Sequence, residues 1–404
     1  MHYADARSPA ELRGRTILQI VPELDTGGAE RTAVDIAAGL VQAGARALVA
    51  TEGGRLVAEL QAKGGSWIPF PAKTKNPLAI LFNARKLKRI IQDEDVDLVH
   101  ARSRAPAWSA YLATGGLNIP FVTTYHGSYQ GRSSVKILYN SVMARGDAVI
   151  ANSHYTARLI ADKHPFARDR IAVIHRGTDL KLYSAAHVEH GRIERLRAAW
   201  GVAPYQRVIL CAARLTPWKG QKVLIEAARL LREAGEADIA IVLAGDDQGR
   251  SGYVRELDAM AEKLGVKDLV YRVGHCSDMP AAFMAAAVVA VPSTEPEAFG
   301  RTATEAQALG TPVVVTDLGA VPETVLAPPD VAAAARTGWR IPPNDPEALT
   351  EALIAALNLG ATAGDAMALR ARQHVEQHFS LESMVSATLR LYVALLERQR
   401  ANRV

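Results

Sequence analysis

Two carboxylates, Glu297 and Glu305, stand eight positions apart in the stretch PEAFGRTATEAQALGTPVVV. Glu297 precedes a small turn, and Glu305 falls about one turn into a predicted helix that ends at Gly310. A pair of acids suggests acid–base chemistry, but the spacing also fits binding. A phosphate can lie at the helix N-terminus while Glu305 binds a vicinal diol and Glu297 lies at the far end of the same ligand. The alternative is one acid favoured by the helix dipole and one unrelated loop acid.

Two cations, Arg214 and Lys219, follow another predicted strand in the stretch AARLTPWKGQ. A planar arginine fork and a lysine point charge beside a helix start are suited to binding a diphosphate. The alternative interpretation is a pair of solvated surface cations.

Glycine and histidine residues mark two further strand ends. Gly27 and Gly28 stand between a strand and a helix in LDTGGAERTA, where the backbone can approach an anion closely, although a tight turn would explain them equally. His126 ends a predicted strand in TTYHGSY, where either a catalytic or a structural role is open. The chain contains no GxxxxGK[ST] motif, which disfavours a P-loop nucleotidase.

The elements that must position these residues alternate along the chain. Short apolar, β-branched runs are followed by helical patterns, which predicts parallel sheets with helices on both faces. The alternation lapses into a polar, arginine-rich connection over residues 184–205 and then restarts. We therefore predict an α/β protein with two Rossmann-like domains, at residues 1–185 and 186–382. The candidate residues would then lie at the carboxyl ends of strands, where ligands bind in such sheets.

The composition is that of a folded globular protein, with 404 residues, 49% hydrophobic and 22% charged. Only two cysteines are present, which favours a reducing compartment. The first fifteen residues lack the apolar core of an export signal, and no apolar run is long enough to span a membrane. We therefore expect a cytoplasmic protein.

Positive charge is concentrated in the first half of the chain. Residues 1–190 carry 24 Lys and Arg against 17 Asp and Glu, and no acid occurs between Leu98 and Gly146. Basic residues also cluster around NPLAILFNARKLKRII. This pattern indicates either a solvated helix face or a surface for anionic lipid or phosphorylated acceptors. A nucleic-acid partner is disfavoured, because no nucleic-acid-binding motif is present and the basic segments lack interleaved aromatics.

Several motifs occur together in a recognisable order. GGAE, TYHG, ANS, HRGTD, ARLTPWKGQ, VGHCSDM and EAFGRTATEAQALGTPVV resemble those of the retaining GT-B glycosyltransferases of glycosyltransferase family 4, from about Thr16 to the last helix. The resemblance implies two Rossmann-like domains with parallel sheets facing across a cleft. The first would hold the acceptor and the second the nucleotide sugar, with helix 383–404 packing back on the first. HARSRAPAWSAYLA and HRGTDL are most similar to members that build bacterial lipopolysaccharide or other surface glycans.

The resemblance also assigns roles to the charged candidates. It places Glu297 beside the transferred sugar and Glu305 on the ribose hydroxyls of the nucleotide. It places Arg214 and Lys219 on the diphosphate, and His126 on the donor sugar. Of these, we expect Glu297, His126, Arg214 and Lys219 to act in catalysis.

Backbone positions complete the implied donor site. The resemblance places Gly28, and with it Gly27, near the phosphates, and Gly274 where the base is held. Arg176 and Ala320 depart from the family pattern, which more often has Asn and Gly there. The backbone N–H groups of one turn are expected to contact sugar and phosphate: Phe299, Gly300, Arg301 and Thr302.

The implied reaction moves a hexose from a UDP-, GDP- or ADP-sugar to a hydroxyl of a glycan or glycolipid acceptor, with retention. We expect a front-face mechanism, because the two acids serve opposite ends of the donor instead of flanking one bond. We expect no metal and no cofactor besides the donor, because two cations and a helix dipole can stabilise the leaving diphosphate. The alternatives are another GT-B enzyme, such as an epimerase or phosphorylase, and a non-catalytic sugar-nucleotide-binding subunit. If the basic half binds anionic lipid, the enzyme would work at the inner face of the cytoplasmic membrane.

Overall fold

A computed structural model describes residues 9–25, 27–127 and 133–401. The chain divides into two units: one runs up to Gly177 and resumes at Leu381, and the other comprises Thr178–Ser380. Residues 1–8, which begin the segment where we expected no export signal, lie outside the described residues.

The first unit is built on one parallel sheet. Its strands are short, buried, β-branched runs such as TILQI, which suit a sheet covered on both faces. The strands found among the described residues are β1 (Thr16–Ile20), β2 (Arg46–Thr51), β3 (Ser66–Pro69), β4 (Leu98–Ala101), β5 (Phe121–Tyr125), β6 (Ala148–Ala151) and β7 (Ile171–Val173). Their order in the sheet is β3-β2-β1-β4-β5-β6-β7.

Helices cover both faces of this sheet. They are α1 (Gly28–Gln42), α2 (Val57–Ala62), α3 (Pro77–Asp93), α4 (Arg104–Thr114), α5 (Ser134–Ser141), α6 (His154–Lys163) and the last helix, α15 (Leu381–Ala401). One apolar core joins the sheet to α1 and α15, and a second joins the opposite face to α3, α4 and α6.

The second unit repeats this architecture. Its strands among the described residues are β8 (Arg207–Ala212), β9 (Ile239–Ala244), β10 (Val270–Gly274), β11 (Val288–Val291), β12 (Val313–Thr316) and β13 (Trp339–Ile341). They are parallel and have the order β10-β9-β8-β11-β12-β13. The predicted α/β class, with two Rossmann-like parallel sheets, is confirmed.

Helices of the second unit connect these strands. They are α7 (His190–Trp200), α8 (Gln221–Glu233), α9 (Ser251–Lys263), α10 (Met279–Ala285), α11 (Arg301–Leu309), α12 (Val321–Thr324), α13 (Pro346–Leu357) and α14 (Ala361–Phe379). Two apolar cores lie on the two faces of the sheet, one against α8, α9 and α13 and the other against α10, α11 and α14.

The last helix belongs to the core of the first unit. Leu389 and Tyr392 of α15 are buried there. The Tyr392 hydroxyl lies 2.5 Å from Nδ1 of His100 at the end region of β4, and Nε2 of His100 lies 2.7 Å from Oγ1 of Thr124 on β5. A buried polar link therefore joins the helix to two strands.

The division between the units differs from the predicted boundaries at 185/186 and 382/383. It falls at 177/178 and 380/381. The reason is local: the Thr178 backbone N–H donates to the Phe379 carbonyl at 2.7 Å, and Tyr183 is buried in a core of the second unit. Residues 178–185 therefore pack with the second unit.

The polar segment 184–205, predicted to be a connection, contains helix α7. Two of its arginines are structural: Arg192 donates to both carboxylate oxygens of Asp278, at 3.0 and 2.7 Å, and Arg197 donates to the Ala203 and Gln206 carbonyls. Trp200 is buried at the end of the helix. Polar composition hid the helix because two of its charged side chains are bonded to other parts of the second unit.

No single described helix is long and apolar enough to cross a membrane. The pair α13 and α14, bent by 108° at their junction, meets the length and composition requirements only when taken together. Both helices bury residues in the second unit, Leu353 in one core and Val375 in the other.

Candidate active site

The strand order of the second unit places a candidate ligand-binding crevice between the loops that follow β8 and β11. These strands are neighbours, but the chain proceeds from β8 to β9 on one side and from β11 to β12 on the other. Loops that follow two such strands diverge, and ligands bind between them in open parallel sheets. Lys219 lies in the loop after β8, and Glu297 lies in the loop after β11.

Lys219 and Glu297 form an ion pair in which their side chains are only 15% and 11% exposed. The Ser293 hydroxyl donates to the same carboxylate oxygen, Oε1, at 2.7 Å. The Lys219 ammonium also lies 4.2 Å from the ring centroid of Trp218. A buried charge pair with extra hydrogen bonds is well oriented, so both groups are held ready for a ligand.

Two glycines allow the loops after β8 and β12 to approach the loop after β11 closely. Gly220 has φ of +73°, and a Cβ added there would lie 1.8 Å from the Pro292 carbonyl oxygen. Gly319 has the same φ, and its added Cβ would lie 2.4 Å from the Glu297 carbonyl oxygen. The Thr294 backbone N–H donates to the Trp218 carbonyl at 2.8 Å, which ties the two loops together.

Helix α11 begins beside this ion pair. Gly300 is its N-cap with φ of +89°, and no described side chain caps the helix start. The Thr302 hydroxyl donates to the Ala212 carbonyl at the end of β8, at 3.3 Å, and Phe299 is buried against Phe379. The start of a helix at this sheet edge is a suitable site for a phosphate.

Glu305 lies one turn into α11 and is buried. Arg301 donates to its Oε1 from Nε and Nη2, at 3.1 and 2.7 Å. Burial, and then the nearby Glu305 charge, raise the pKa of the Tyr183 hydroxyl well above its usual value. The Glu305 carboxylate is therefore held in place by an arginine, and Tyr183 stays protonated.

Arg214 follows β8, and Gly274 ends β10, with β9 between these two strands in the sheet. The Arg214 side chain is exposed and donates to Gln248 at 3.4 Å, while its carbonyl accepts from Gln221 at 3.0 Å. No described contact joins it to Lys219. Gly274 has φ of +70°, and its carbonyl accepts from the Gly245 N–H at 2.7 Å. Arg214 is thus available to a ligand, whereas Gly274 supplies backbone geometry.

Gly27 and Gly28 belong to the first unit, after β1. Gly27 is the N-cap of α1, and Gly28 is its first residue. The Thr32 hydroxyl donates to the Gly28 carbonyl at 2.7 Å. The Glu30 carboxylate folds over Gly27, where a Cβ would lie 2.0 Å from its Oε2. This acid occupies the helix start, so it must move for an anion to bind there.

His126, also in the first unit, lies in a buried polar cluster. It lines a small cavity with Arg102, Asn152 and Arg176, and its Nδ1 lies 3.2 Å from Nη2 of Arg176. Burial, with Arg176 and Arg102 nearby, holds the pKa of His126 well below its usual value, so the ring is neutral. Among the described residues, no hydrogen-bond partner reaches Nε2 of His126 or the Asn152 amide.

Arg102 and Asn152 were not singled out from the sequence, although both had a signal. Each directly follows a strand, β4 or β6, at the edge where ligands bind. Ser293, Tyr183 and the Arg301 side chain were also missed. Their contacts with Glu297 and Glu305 are made by the folded loops, and no spacing in the sequence reveals them.

Asp-x-Asp spacings occur at Asp93 and Asp95 and at Asp95 and Asp97. The Asp97 carboxylate accepts from Arg15 at 2.6 Å and from the Thr16 backbone N–H at 2.8 Å. It stands just before β4, at the amino end of the strand. This carboxylate holds the start of the sheet together.

Two family models match the chain. The Glycosyltransferase Family 4 model matches residues 26–182, and the Glycosyl transferases group 1 model matches residues 192–374. The first covers most of the described first unit, and the second covers most of the second unit.

Individual relatives agree with this assignment. A glycosyltransferase structure from Rickettsia africae ESF-5 is 33% identical, with a TM-score of 0.85 over 95% of this chain and 99% of that one. Anabaena Alr3699/HepE in complex with UDP-glucose is 26% identical, with a TM-score of 0.78 over 94% and 98%. The D-inositol 3-phosphate glycosyltransferase of Corynebacterium glutamicum (strain R) is 28% identical over 65% of this chain and 64% of its own length. The match to that curated relative thus spans about two thirds of it.

Proposed function

Because the chain belongs to the GT-B glycosyltransferases that join a Glycosyltransferase Family 4 domain to a Glycosyl transferases group 1 domain, we propose that it transfers a hexose from a UDP-sugar to an acceptor hydroxyl with retention. The UDP preference is supported by the UDP-glucose bound in the Anabaena relative. GDP- and ADP-sugars are the competing donors.

The observation that carries the proposal is the ion pair of Lys219 with Glu297 next to the start of α11. In the proposed reaction the bond between the anomeric carbon and the diphosphate oxygen breaks, and negative charge develops on the diphosphate. The Lys219 ammonium and the helix start stabilise that charge, and exposed Arg214 adds a second cation. Removing one such donor typically slows an enzyme about a hundredfold or more.

Glu297 is assigned to the sugar as a positioning group. Its Oε1 accepts from Lys219 and Ser293, so Oε2 is the atom we assign to sugar hydroxyls. Because both contacts to Oε1 come from donors, we place Glu297 as an acceptor for sugar hydroxyls and assign it no proton transfer. Glu305 binds the ribose hydroxyls once the Arg301 guanidinium shares the Glu305 carboxylate with the ribose or moves away from it.

Retention is assigned to a front-face step. The acceptor oxygen attacks the anomeric carbon on the side from which the diphosphate leaves, and the acceptor proton passes to a departing phosphate oxygen. Cys211 is buried on β8, and the charges of Lys219 and Glu297 act on it. Burial raises the pKa of its thiol to about 12, so the thiol stays protonated and cannot act as a nucleophile at neutral pH. No step of this proposal requires a metal or a separate cofactor.

The acceptor we propose is a glycan or glycolipid of the bacterial surface, including lipopolysaccharide. The name of the Corynebacterium relative offers inositol 3-phosphate as the competing acceptor. We also propose a cytoplasmic location, which agrees with two cysteines that are both free thiols.

A thermal-shift panel tests the donor assignment, because a ligand that binds the native state raises the melting temperature. We expect UDP-sugars to stabilise the wild-type protein more than GDP- or ADP-sugars, and we expect Lys219→Ala to remove most of that shift.

NMR of the product made from an α-linked donor should show an α-glycoside. A β-glycoside would overturn retention. Stabilisation without turnover on any glycan, glycolipid or inositol phosphate would favour a non-catalytic subunit, and donor isomerisation or phosphate-dependent cleavage would favour an epimerase or phosphorylase.

A further inference from the structure

Exposed apolar side chains are concentrated on two helices of the first unit. Among the described residues, eleven large apolar side chains are exposed, and six of them lie on α3 and α5. These six are Leu78 (68%), Leu81 (48%), Phe82 (67%), Val135 (78%), Ile137 (47%) and Leu138 (58%). A cluster of this kind on the surface of a folded unit marks an interaction surface.

Helix α3 combines this apolar surface with positive charge. Its buried stripe, which includes Ile80, Leu87 and Ile91, packs on the sheet. On the opposite face Leu78, Phe82, Arg85 and Arg89 follow at intervals of four, three and four residues, which places them in one row along the helix. The Arg85 guanidinium lies 5.9 Å from the Phe82 ring centroid. The outer face is therefore apolar near its start and basic beyond.

The positive charge of this surface has no acidic counterpart nearby in the sequence. No acid occurs from Asn76 to Gln92, and none occurs from Leu98 to Gly146, which includes α5 and its Lys136. Among the residues that the structure describes, no carboxylate lies within ion-pair distance of the four exposed cations of α3: Arg85, Lys86, Lys88 and Arg89. The surface is complementary to an anionic partner.

Helix α4 connects the two apolar clusters. The Ser109 hydroxyl of α4 donates to the Ile80 carbonyl of α3 at 3.3 Å, and Trp108 donates to the Tyr139 carbonyl of α5 at 3.0 Å. Arg104 donates to Asn140 at 2.9 Å. Both clusters thus lie on one side of the sheet, separated by a single helix, and both are near helix N-termini. In a parallel sheet these ends lie at the same edge as the strand carboxyl ends.

We propose that the outer faces of α3 and α5 form a docking surface for an anionic lipid bilayer. Apolar side chains at helix starts can enter the boundary between headgroups and acyl chains, while the arginines and lysines contact lipid phosphates. A bilayer fits both features at once: a broad apolar surface and a diffuse set of cations. The inference does not depend on the proposed sugar transfer, and lipid binding and transfer are measured separately.

Vesicle flotation of the full chain tests this surface, with phosphatidylcholine alone and with phosphatidylcholine mixed with phosphatidylglycerol. We expect binding to the anionic vesicles only, weakened by added salt. Each basic residue near such a surface strengthens binding about fivefold, so Arg85→Glu/Arg89→Glu should weaken it by about 25-fold or more. Leu78→Ser/Phe82→Ser should weaken it by about tenfold through lost apolar burial.

Two matched double variants serve as controls. Tyr205→Ser/Leu369→Ser removes side chains that are 71% and 54% exposed in the second unit, and Arg195→Glu/Arg255→Glu reverses two exposed charges there. Both should bind anionic vesicles like the wild type. All variants should melt at the wild-type temperature, since the altered side chains are exposed. Equal binding to neutral vesicles, equal losses in the controls, or no vesicle binding with self-association through α3 would overturn the proposal.

Discussion

Lys219 and Glu297, separated by 78 positions in the sequence, form a largely buried ion pair between the loops that follow β8 and β11. The pair exists because the strand order of the second unit reverses between these two neighbours. It joins a cation suited to a leaving phosphate to a carboxylate suited to a sugar. In the proposed reaction, stability and function therefore depend on the same contact.

Lys219→Ala should cost both stability and activity. It leaves the Glu297 carboxylate buried without its cation, and breaking a buried pair costs about 3 kcal/mol of unfolding free energy. Transfer should fall about a hundredfold or more, because charge on the leaving diphosphate loses a stabilising group. Urea unfolding and steady-state donor turnover measure the two effects.

Lys222→Ala provides the control for that variant. Lys222 pairs with Glu256 in the next helix, with side chains that are 45% and 58% exposed. Exposed pairs contribute about 0.2–1 kcal/mol, so this variant should keep nearly wild-type stability and turnover. Equal losses in both variants would show that the Lys219 effect is a general loss of positive charge.

Glu305→Gln should weaken nucleotide binding through the ribose. A neutral amide accepts hydrogen bonds less strongly than a carboxylate, and it also loosens the contact with Arg301. We expect the Kd for UDP to rise about tenfold, as titration calorimetry would show. The wild type should discriminate against 2′,3′-dideoxy-UDP, and the variant should not. Retained discrimination in Glu305→Gln would place the ribose elsewhere.

Much of the fold was predictable from apolar runs. The stretch ARALVAT was predicted as a strand, and β2 covers Arg46–Thr51. Ser66–Pro69 was missed because its side chains are partly exposed and it ends in proline, and Trp339–Ile341 was missed because its three residues include the charged Arg340. An uninterrupted apolar run is what makes a short strand recognisable, and these two strands lack one.

The site was predictable in its motifs and less so in its contacts. The positions of Lys219 and Glu297 at strand ends followed from the alternation and the resemblance, but their pairing depends on sheet order. The burial of His126 among arginines was not predictable, because Arg102 and Arg176 are 24 positions before it and 50 positions after it. Their roles toward a ligand stay predictions.

The neutral histidines of the first unit predict an acid-sensitive stability. Burial holds the pKa of His100 and of His126 well below the usual 6.5. Both are neutral in the folded state, whereas the unfolded chain takes up protons below about pH 6.5. Stability should therefore be full above that pH and fall below it, by about 1.4 kcal/mol per pH unit for each histidine.

Urea unfolding at pH 7.5, 6 and 5 measures this dependence for the wild type and for His126→Gln. Unfolding of the variant should take up about one proton fewer than unfolding of the wild type. The stability of the variant should therefore fall less steeply between pH 6 and 5. An unchanged slope would mean that His126 is already protonated in the folded protein. His190→Gln is the control, because His190 is exposed and pairs with Glu194 on the helix surface.

Gly220→Ala tests whether the close approach of the two loops is required for the site. The substitution places a Cβ in left-handed backbone at φ of +73° and brings it to 1.8 Å from the Pro292 carbonyl oxygen, so the loops must separate.

Gly201→Ala is the matched control, with φ of +72° and nothing within 4 Å of the added Cβ. The control should lose only the backbone cost of about 1–2 kcal/mol and keep its turnover. Gly220→Ala should lose more stability and also move Lys219 away from Glu297, lowering turnover about tenfold or more. Equal turnover in the two variants, measured below their unfolding transitions, would show that the donor site tolerates the displacement.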